Sequence, residues 1–228
     1  MVSAGKKGVV SLARDPRISD GKLPHVSITV PSHPDLHADL DIPLEYDRQF
    51  TANFSGRSGS SGRPVISGMD GSNGSSGDID LEHPVAGGDG GDGEDGENGS
   101  PVQVRVAFRP GSHPLLQFAV SADGRESFFL VNPQGGTLSV LANGGAGGAG
   151  GRGGSGGRGG SGGTGSPMGR SGSNGSDGRD GRSGSPGKGG SITVIYDPQA
   201  RPYLKMLRLS NEGGPIPVFK QQALGPLW

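Results

Sequence analysis

The sequence predicts a mostly β protein with non-regular extended helices. An antiparallel β base, built from repeated units, carries two inserted hairpins of polyglycine II helices packed as a bundle. Three observations predict this. Glycine supplies 48 of 228 residues, about three times usual usage. It recurs at every third position in four runs, 56–77, 87–99, 144–165 and 169–190, with one gap at Val65. That period fits neither an α-helix nor a strand, but it fits a threefold extended helix, which places every third residue on one edge. The segments between the runs alternate apolar and polar residues with period two. Those segments also repeat: Ser27-Ile28-Thr29-Val30 recurs as Ser191-Ile192-Thr193-Val194, and Ser32-His33-Pro34 recurs as Ser112-His113-Pro114.

The elements follow in chain order. Residues 1–22 form a polar N-terminal arm. Lys6 and Lys7 precede only the short apolar run Val9-Val10-Ser11-Leu12, too brief for a secretory signal. No membrane span is visible, so the default location is cytoplasmic, with release on a larger particle the alternative. Residues 23–55 form β unit 1, with strands at 26–30, 36–42 and 48–54. Residues 56–100 form the first glycine hairpin, whose linker 78–86 carries Ile79, Leu81 and Pro84. Residues 101–143 form β unit 2, with strands at 102–108, 115–121, 127–131 and 137–141. Residues 144–190 form the second hairpin. Its reversal falls at Ser166-Pro167-Met168, where the glycine spacing from Gly165 to Gly169 is four. Residues 191–228 form β unit 3 and a tail, with a strand at 191–196 and one helical turn at 200–207 weakened by Pro202. Pro226-Leu227-Trp228 docks either on its own base or on a neighbouring subunit.

Each glycine run can be read edge by edge. In the run from Gly144 two edges are bare, and the third carries Ala146, Ala149, Arg152, Ser155, Arg158, Ser161 and Thr164. This run should be the most buried. Valine at Gly154 or Gly157 should therefore disrupt the bundle, and valine at Ser185 should be tolerated. The run from Gly169 has one bare edge, one basic edge (Arg170, Arg179, Arg182, Lys188) and one edge with Asn174, Asp177 and Asp180. It should be peripheral. The acidic run with Asp89, Asp92, Glu94, Asp95 and Glu97 is the natural neighbour of the arginine edge. The run from Gly56 is mostly serine, with an apolar spot at Val65, Ile66 and Met69.

A lone extended glycine helix has no internal hydrogen bonds, and ordering each residue costs about 1–2 kcal/mol. Order therefore requires lateral N–H···O=C bonds between arms and clamped ends. Disorder and a collagen-like trimer compete with this reading. A flexible linker has no reason to keep a strict triplet phase. Collagen needs about 15–20% proline, and only Pro64 and Pro186 fall inside the triplets.

The triplets Gly-Gly-Ala, Gly-Gly-Arg, Gly-Gly-Ser and Gly-Arg-Asp resemble those of polyglycine II bundle proteins. That group includes the snow-flea antifreeze protein and the glycine-rich tips of some phage tail adhesins. The β parts look like glycine-rich proteins of soil bacteria such as myxobacteria. The resemblance implies a rigid bundle and, at the tips, recognition. It departs in two respects: Arg and Asp interrupt the flat array of small residues that ice binding implies, and cysteine is absent.

No catalytic signature emerges. With no cysteine, disulfides and thiol chemistry are excluded. Gly88-Asp89-Gly90-Gly91-Asp92-Gly93 matches a dinucleotide fingerprint without its strand–turn–helix context. Gly187-Lys188 lacks the rest of a phosphate loop. Asp89, Asp92, Glu94 and Asp95 are weak calcium candidates, set against a solvated or arginine-paired edge. His25, His33, His83 and His113 adjoin proline, with His37 nearby, and read as turn residues. Net charge is −1, which attracts neither nucleic acid nor an anionic membrane. The expected function is a non-enzymatic structural or interaction protein, without cofactor, that self-assembles or binds a protein partner. The alternative is an adhesin-like module binding a glycan or protein through the tips at Ser166, Pro167, Met168 and residues 78–85. Ice binding is third.

Overall fold

The computed structural model describes residues 2–4, 10–12, 15–22, 24–42, 44–64, 86–111, 113–164, 166 and 168–228. The apolar spot at Val65, Ile66 and Met69, the linker tip at 78–85 and Pro167 lie outside the described residues. The chain divides into two compact units. Unit 1 comprises residues 1–54, 100–142 and 190–228, and unit 2 comprises residues 55–99 and 143–189.

Unit 1 begins with β1 (Val2–Ala4) paired antiparallel to β2 (Val10–Leu12). A short helix α1 (Pro16–Ser19) follows, capped by the Asp15 side chain accepting from the Arg17 N–H at 3.0 Å. A hairpin of β3 (His25–Val30) and β4 (His33–Asp41) stands as its own two-stranded sheet. The remaining strands are β5 (Gln49–Asn53), β6 (Val102–Arg109), β7 (Leu115–Ala122), β8 (Arg125–Val131), β9 (Thr137–Leu141), β10 (Ile192–Tyr196), β11 (Leu207–Ser210) and β12 (Val218–Gln221). They form a five-stranded sheet in the order β12-β10-β6-β7-β8 and a three-stranded sheet in the order β11-β9-β5.

These sheets correct the expected architecture. The base is not antiparallel. β10 runs parallel to both β6 and β12, and β9 runs parallel to both β5 and β11. Only β6, β7 and β8 form an antiparallel meander within the five-stranded sheet. The reason lies in the repeat. β5, β9 and β11 close successive repeats and run in one direction, so side by side they pair parallel. The long inserts between them supply the crossover length that parallel pairing needs. The expected bundle of polyglycine II helices is likewise overturned. Among the described residues regular helix is confined to α1 and a 3-10 helix at Pro198–Met206, and the described parts of the glycine runs lack it. The 3-10 helix also replaces the single turn expected at 200–207, with Pro202 accommodated inside it.

Alternation builds the core. Val102, Val104 and Val106 of β6, Leu116, Phe118 and Val120 of β7, Leu138 and Val140 of β9, and Ile192 and Val194 of β10 all belong to one buried cluster. Each such side chain contributes roughly 1.5–3 kcal/mol by leaving water. Ala200 of the 3-10 helix joins the cluster, and Tyr203 stacks on Phe108 with ring centroids 5.2 Å apart.

Strand β7 is buried on its second face too, at Leu115, Gln117 and Ala119. There Leu227 donates its N–H to Gln117 Oε1 at 3.1 Å. Trp228 meets the Phe128 ring edge-on at 5.5 Å and donates its indole N–H to Asp20 at 3.2 Å. The Arg17 guanidinium lies 3.7 Å over the same Phe128 ring, a cation–π contact. The C-terminal tail thus docks on its own β unit.

The described residues of unit 2 form four extended segments, arm 1 (55–64), arm 2 (86–99), arm 3 (143–164) and arm 4 (168–189). Their backbones are joined laterally at every third residue. Arm 4 donates to arm 3 at seven steps, from Gly169 N–H to the Gly163 carbonyl (3.0 Å) through Gly187 to Gly145 (2.8 Å). Arm 3 donates to arm 2, as in Gly148 to Glu94 and Gly151 to Gly91, both 2.8 Å. Arm 2 donates to arm 1 at Gly91, Glu94 and Glu97, and to arm 4 at Gly87, Gly90, Gly93, Gly96 and Gly99. Arm 1 donates to arm 3 at Gly56, Gly59 and Gly62. Arms 1 and 3 are parallel, as are arms 2 and 4, and the other contacts are antiparallel.

Candidate functional site

The chemistry of unit 2 is set by amides that a glycine edge leaves over. In an extended segment with no internal bonds, each N–H needs an external partner. The bare edges meet carbonyls of neighbouring arms. The next edge meets side chains. On arm 2, Asp89, Asp92, Asp95 and Asn98 recur at three-residue steps. Their Oδ1 atoms accept from the backbone N–H groups of Arg179 (2.8 Å), Arg182 (2.7 Å), Ser185 (2.6 Å) and Lys188 (2.7 Å) of arm 4. Arm 4 does the same for arm 3. Asp180, Asp177 and Asn174 accept from Gly153 (2.8 Å), Gly156 (2.7 Å) and Gly159 (2.9 Å), and the Ser171 hydroxyl oxygen accepts from Gly162 (3.2 Å). Glu94 and Glu97 reach the N–H groups of Ser60 and Arg57 on arm 1, both at 3.3 Å.

This ladder reassigns the acidic run. Arms 2 and 4 are neighbours, but among their described residues no guanidinium–carboxylate pair joins them. The carboxylates bind main-chain amides instead, those of Arg179 and Arg182 among them. The calcium candidates Asp89, Asp92, Glu94 and Asp95 each face a different amide. Successive triplet positions on an extended chain are about 10 Å apart, too far to share one cation. Among the described residues no group of three acidic or histidine side chains could hold a metal.

Asn98 and Asn174 occupy rungs equivalent to the aspartates, so a neutral amide oxygen suffices there. Asp92→Asn is therefore expected to leave thermal stability within about 0.5 kcal/mol of wild type, whereas Asp92→Ala, which orphans the Arg182 N–H, is expected to cost about 1–3 kcal/mol. Thermal melts of the two variants check this. Equal losses would show that charge, not the acceptor, matters.

Arm 3 carries the buried edge. Gly145, Gly148, Gly151, Gly154, Gly157, Gly160 and Gly163 are buried, while Ala146 through Thr164 on the third edge are exposed. Arm 4 shows no buried glycine between 169 and 187. Arm 2 is as central as arm 3, because it bonds to all three other arms. Edge reading missed this, since Glu94 and Glu97 look like solvated positions. At the reversal, Ser166 is exposed and Met168 is 77% exposed.

In unit 1 a cleft of about 710 Å³ is lined by Lys22, Tyr46, Asp47, Arg109, His113 and Asn132, among others. Arg109 forms an ion pair with Asp20, the same carboxylate that takes Trp228. Burial, and next the Asp20 charge, push the Tyr46 phenol above its ordinary pKa. The cleft therefore places the paired Arg109 guanidinium near a phenol whose proton is held more tightly than usual.

His25 sits across from β4, with Nδ1 2.8 Å from Asp41 and Nε2 3.3 Å from Asp39. The Asp41 hydrogen bond, and behind it Asp39, raise its pKa. A histidine raised in the fold stabilises at pH below its ordinary value, and that contribution disappears as pH rises through the folded pKa. The β3–β4 hairpin should thus loosen on going from mildly acidic to alkaline pH. Proton NMR of the His25 ring checks this, and Asp41→Asn should lower the midpoint. An unchanged midpoint would show that the contact is not formed.

In the comparisons with known proteins, no family model, no curated protein and no solved structure matches this chain. Among the described residues no helix is long and apolar enough to cross a membrane.

Proposed function

We propose that the chain is a non-enzymatic structural and interaction protein, in which the glycine arms act as a stiff spacer and the β unit serves assembly. One observation carries this reading: the recurring Asp and Asn side chains of the arms are engaged with main-chain amides. Polar groups that elsewhere bind ligands or move protons here hold backbone to backbone. An array of this kind resists bending, because any shear of one arm breaks a whole row of equivalent bonds. Hydrogen exchange tests it directly. The N–H groups of Gly172, Gly175, Gly178 and Gly181 should exchange orders of magnitude more slowly than an unstructured chain. Exchange at the unstructured rate would remove the spacer reading.

A second reading, recognition of a glycan or protein through the arm tip, is favoured by the exposed Met168. Replacing Ser166 and Met168 by glycine would abolish binding to the target surface under this reading and leave arm protection intact.

A further inference from the structure

The β3–β4 hairpin is acidic and apolar at once, and nothing within the described sheets pairs with it. Its register sets Val26 opposite Leu40 and Ile28 opposite Ala38, so with Leu36 of the same strand as Ala38 and Leu40 these residues share one face. That face is open: Ile28 is 59% exposed, Leu36 55% and Leu40 60%. Residues 24–42 carry Asp35, Asp39 and Asp41 and no lysine or arginine. A two-stranded hairpin of this kind is marginal alone in water.

The opposite character appears at β12. This strand ends the five-stranded sheet, with β10 on one side and, among the described residues, no strand on the other. All four of its residues are exposed, including Phe219 at 50%. Residues 198–222 carry Arg201, Lys205, Arg208 and Lys220 against the single acid Glu212. Phe219 pairs with Val194, and so lies on the face of the sheet that continues into the core. An apolar strand added beside β12 would extend that core.

We propose that β3 of one copy adds to the free edge of β12 of a second copy, joining molecules head to tail. This rests on the assembly role proposed above. Charge complementarity favours this partner, since the hairpin carrying Asp35, Asp39 and Asp41 meets a basic stretch of the same chain. The repeat selects the strand. β12 already pairs with β10 through Thr193 and Val194, and β3 carries the same Ser-Ile-Thr-Val tetrapeptide. The added strand would give β12 the same neighbour on both sides. Because the two surfaces differ, the contact is heterologous, and repetition gives a ring or an open filament.

Sedimentation velocity of the full chain tests this with two surface variants, Ile28→Asp and Phe219→Asp. Wild type should form species several times its 22.9 kDa mass. Each variant alone should lose assembly at least tenfold and sediment as a monomer. Mixed one to one, the variants should form a complex of two copies that grows no further, because one intact hairpin and one intact β12 edge remain. Raised salt should weaken the wild-type assembly, as a charged contact requires. Wild type that assembles unchanged by both variants would overturn this interface and leave the assembly role standing. Wild type that stays monomeric at high concentration would overturn both, while slow exchange in the arms would still support the spacer.

Discussion

Gly148→Ala is expected to melt the glycine arms well below the wild-type temperature, while Ala149→Val beside it leaves the melt unchanged. The two positions differ by one step along the same arm. A methyl on Gly148 would land inside contact distance of the Ser60 carbonyl of arm 1, and that atom is backbone, which cannot swing away. Arms 1 and 3 would have to separate. Gly59 would then lose its bond to Ala146, Gly62 its bond to Ala149, and the Gly148–Glu94 bond would be strained. At about 0.5–1.5 kcal/mol per bond, the local loss is about 2–4 kcal/mol. Ala149 already carries a methyl into solvent and is exposed, so valine meets nothing there. Thermal melts and hydrogen exchange of Gly184, whose N–H bonds the Gly148 carbonyl, read the difference. Equal melting temperatures would show that arms 1 and 3 are not in contact in solution.

Phe118→Ala is expected to cost unit 1 about 3–5 kcal/mol, the usual range for emptying an aromatic core site. Phe118 is 1% exposed in the middle of β7, with Val106 of β6 and Phe129 of β8 as cross-strand neighbours. Strands on both sides hold its backbone in place, so the site cannot collapse. Phe118→Leu should cost much less. The urea midpoint measures both, and a small shift for alanine would mean that the two sheets repack around the void.

Period-two alternation made most of unit 1 legible. The strand at Thr137–Leu141 has the bounds the pattern implied, and β6, β7 and β10 differ by a residue at one end. The strands that escaped are short: Val2–Ala4, Val10–Leu12, Leu207–Ser210 and Val218–Gln221. Three or four residues give alternation too little length to stand out. Strand direction escaped as well. Alternation records which face is buried, and it is the same whether a neighbour runs parallel or antiparallel. The long 3-10 helix was hidden because Pro202 argues against α-helix, while the looser 3-10 pattern accommodates it.

In unit 2 the triplet phase correctly picked out the buried edge of arm 3. It could not reveal what the acidic residues of arm 2 bind. Asp89 reaches the amide of Arg179, a residue 90 positions away. The opposite charge of Arg179's side chain made a salt bridge the natural expectation. Only the lateral register shows that the carboxylate meets the amide. Asn98, opposite the amide of Lys188, was the available hint, since a neutral side chain at the same phase argues for an acceptor over a charge.

The lateral register also constrains how such a molecule can change length. Arms 3 and 4 stay in step from Gly145–Gly187 to Gly163–Gly169. Inserting one or two residues in either arm would rotate later side chains onto the bare edge, where a Cβ would meet a neighbouring backbone carbonyl. Three residues in arm 3 need three in arm 4 to stay matched. Descendants of this sequence can therefore grow or shrink only by paired triplets, each moving the tip by about 10 Å. Their lengths should fall on the marks of a ruler and not between them.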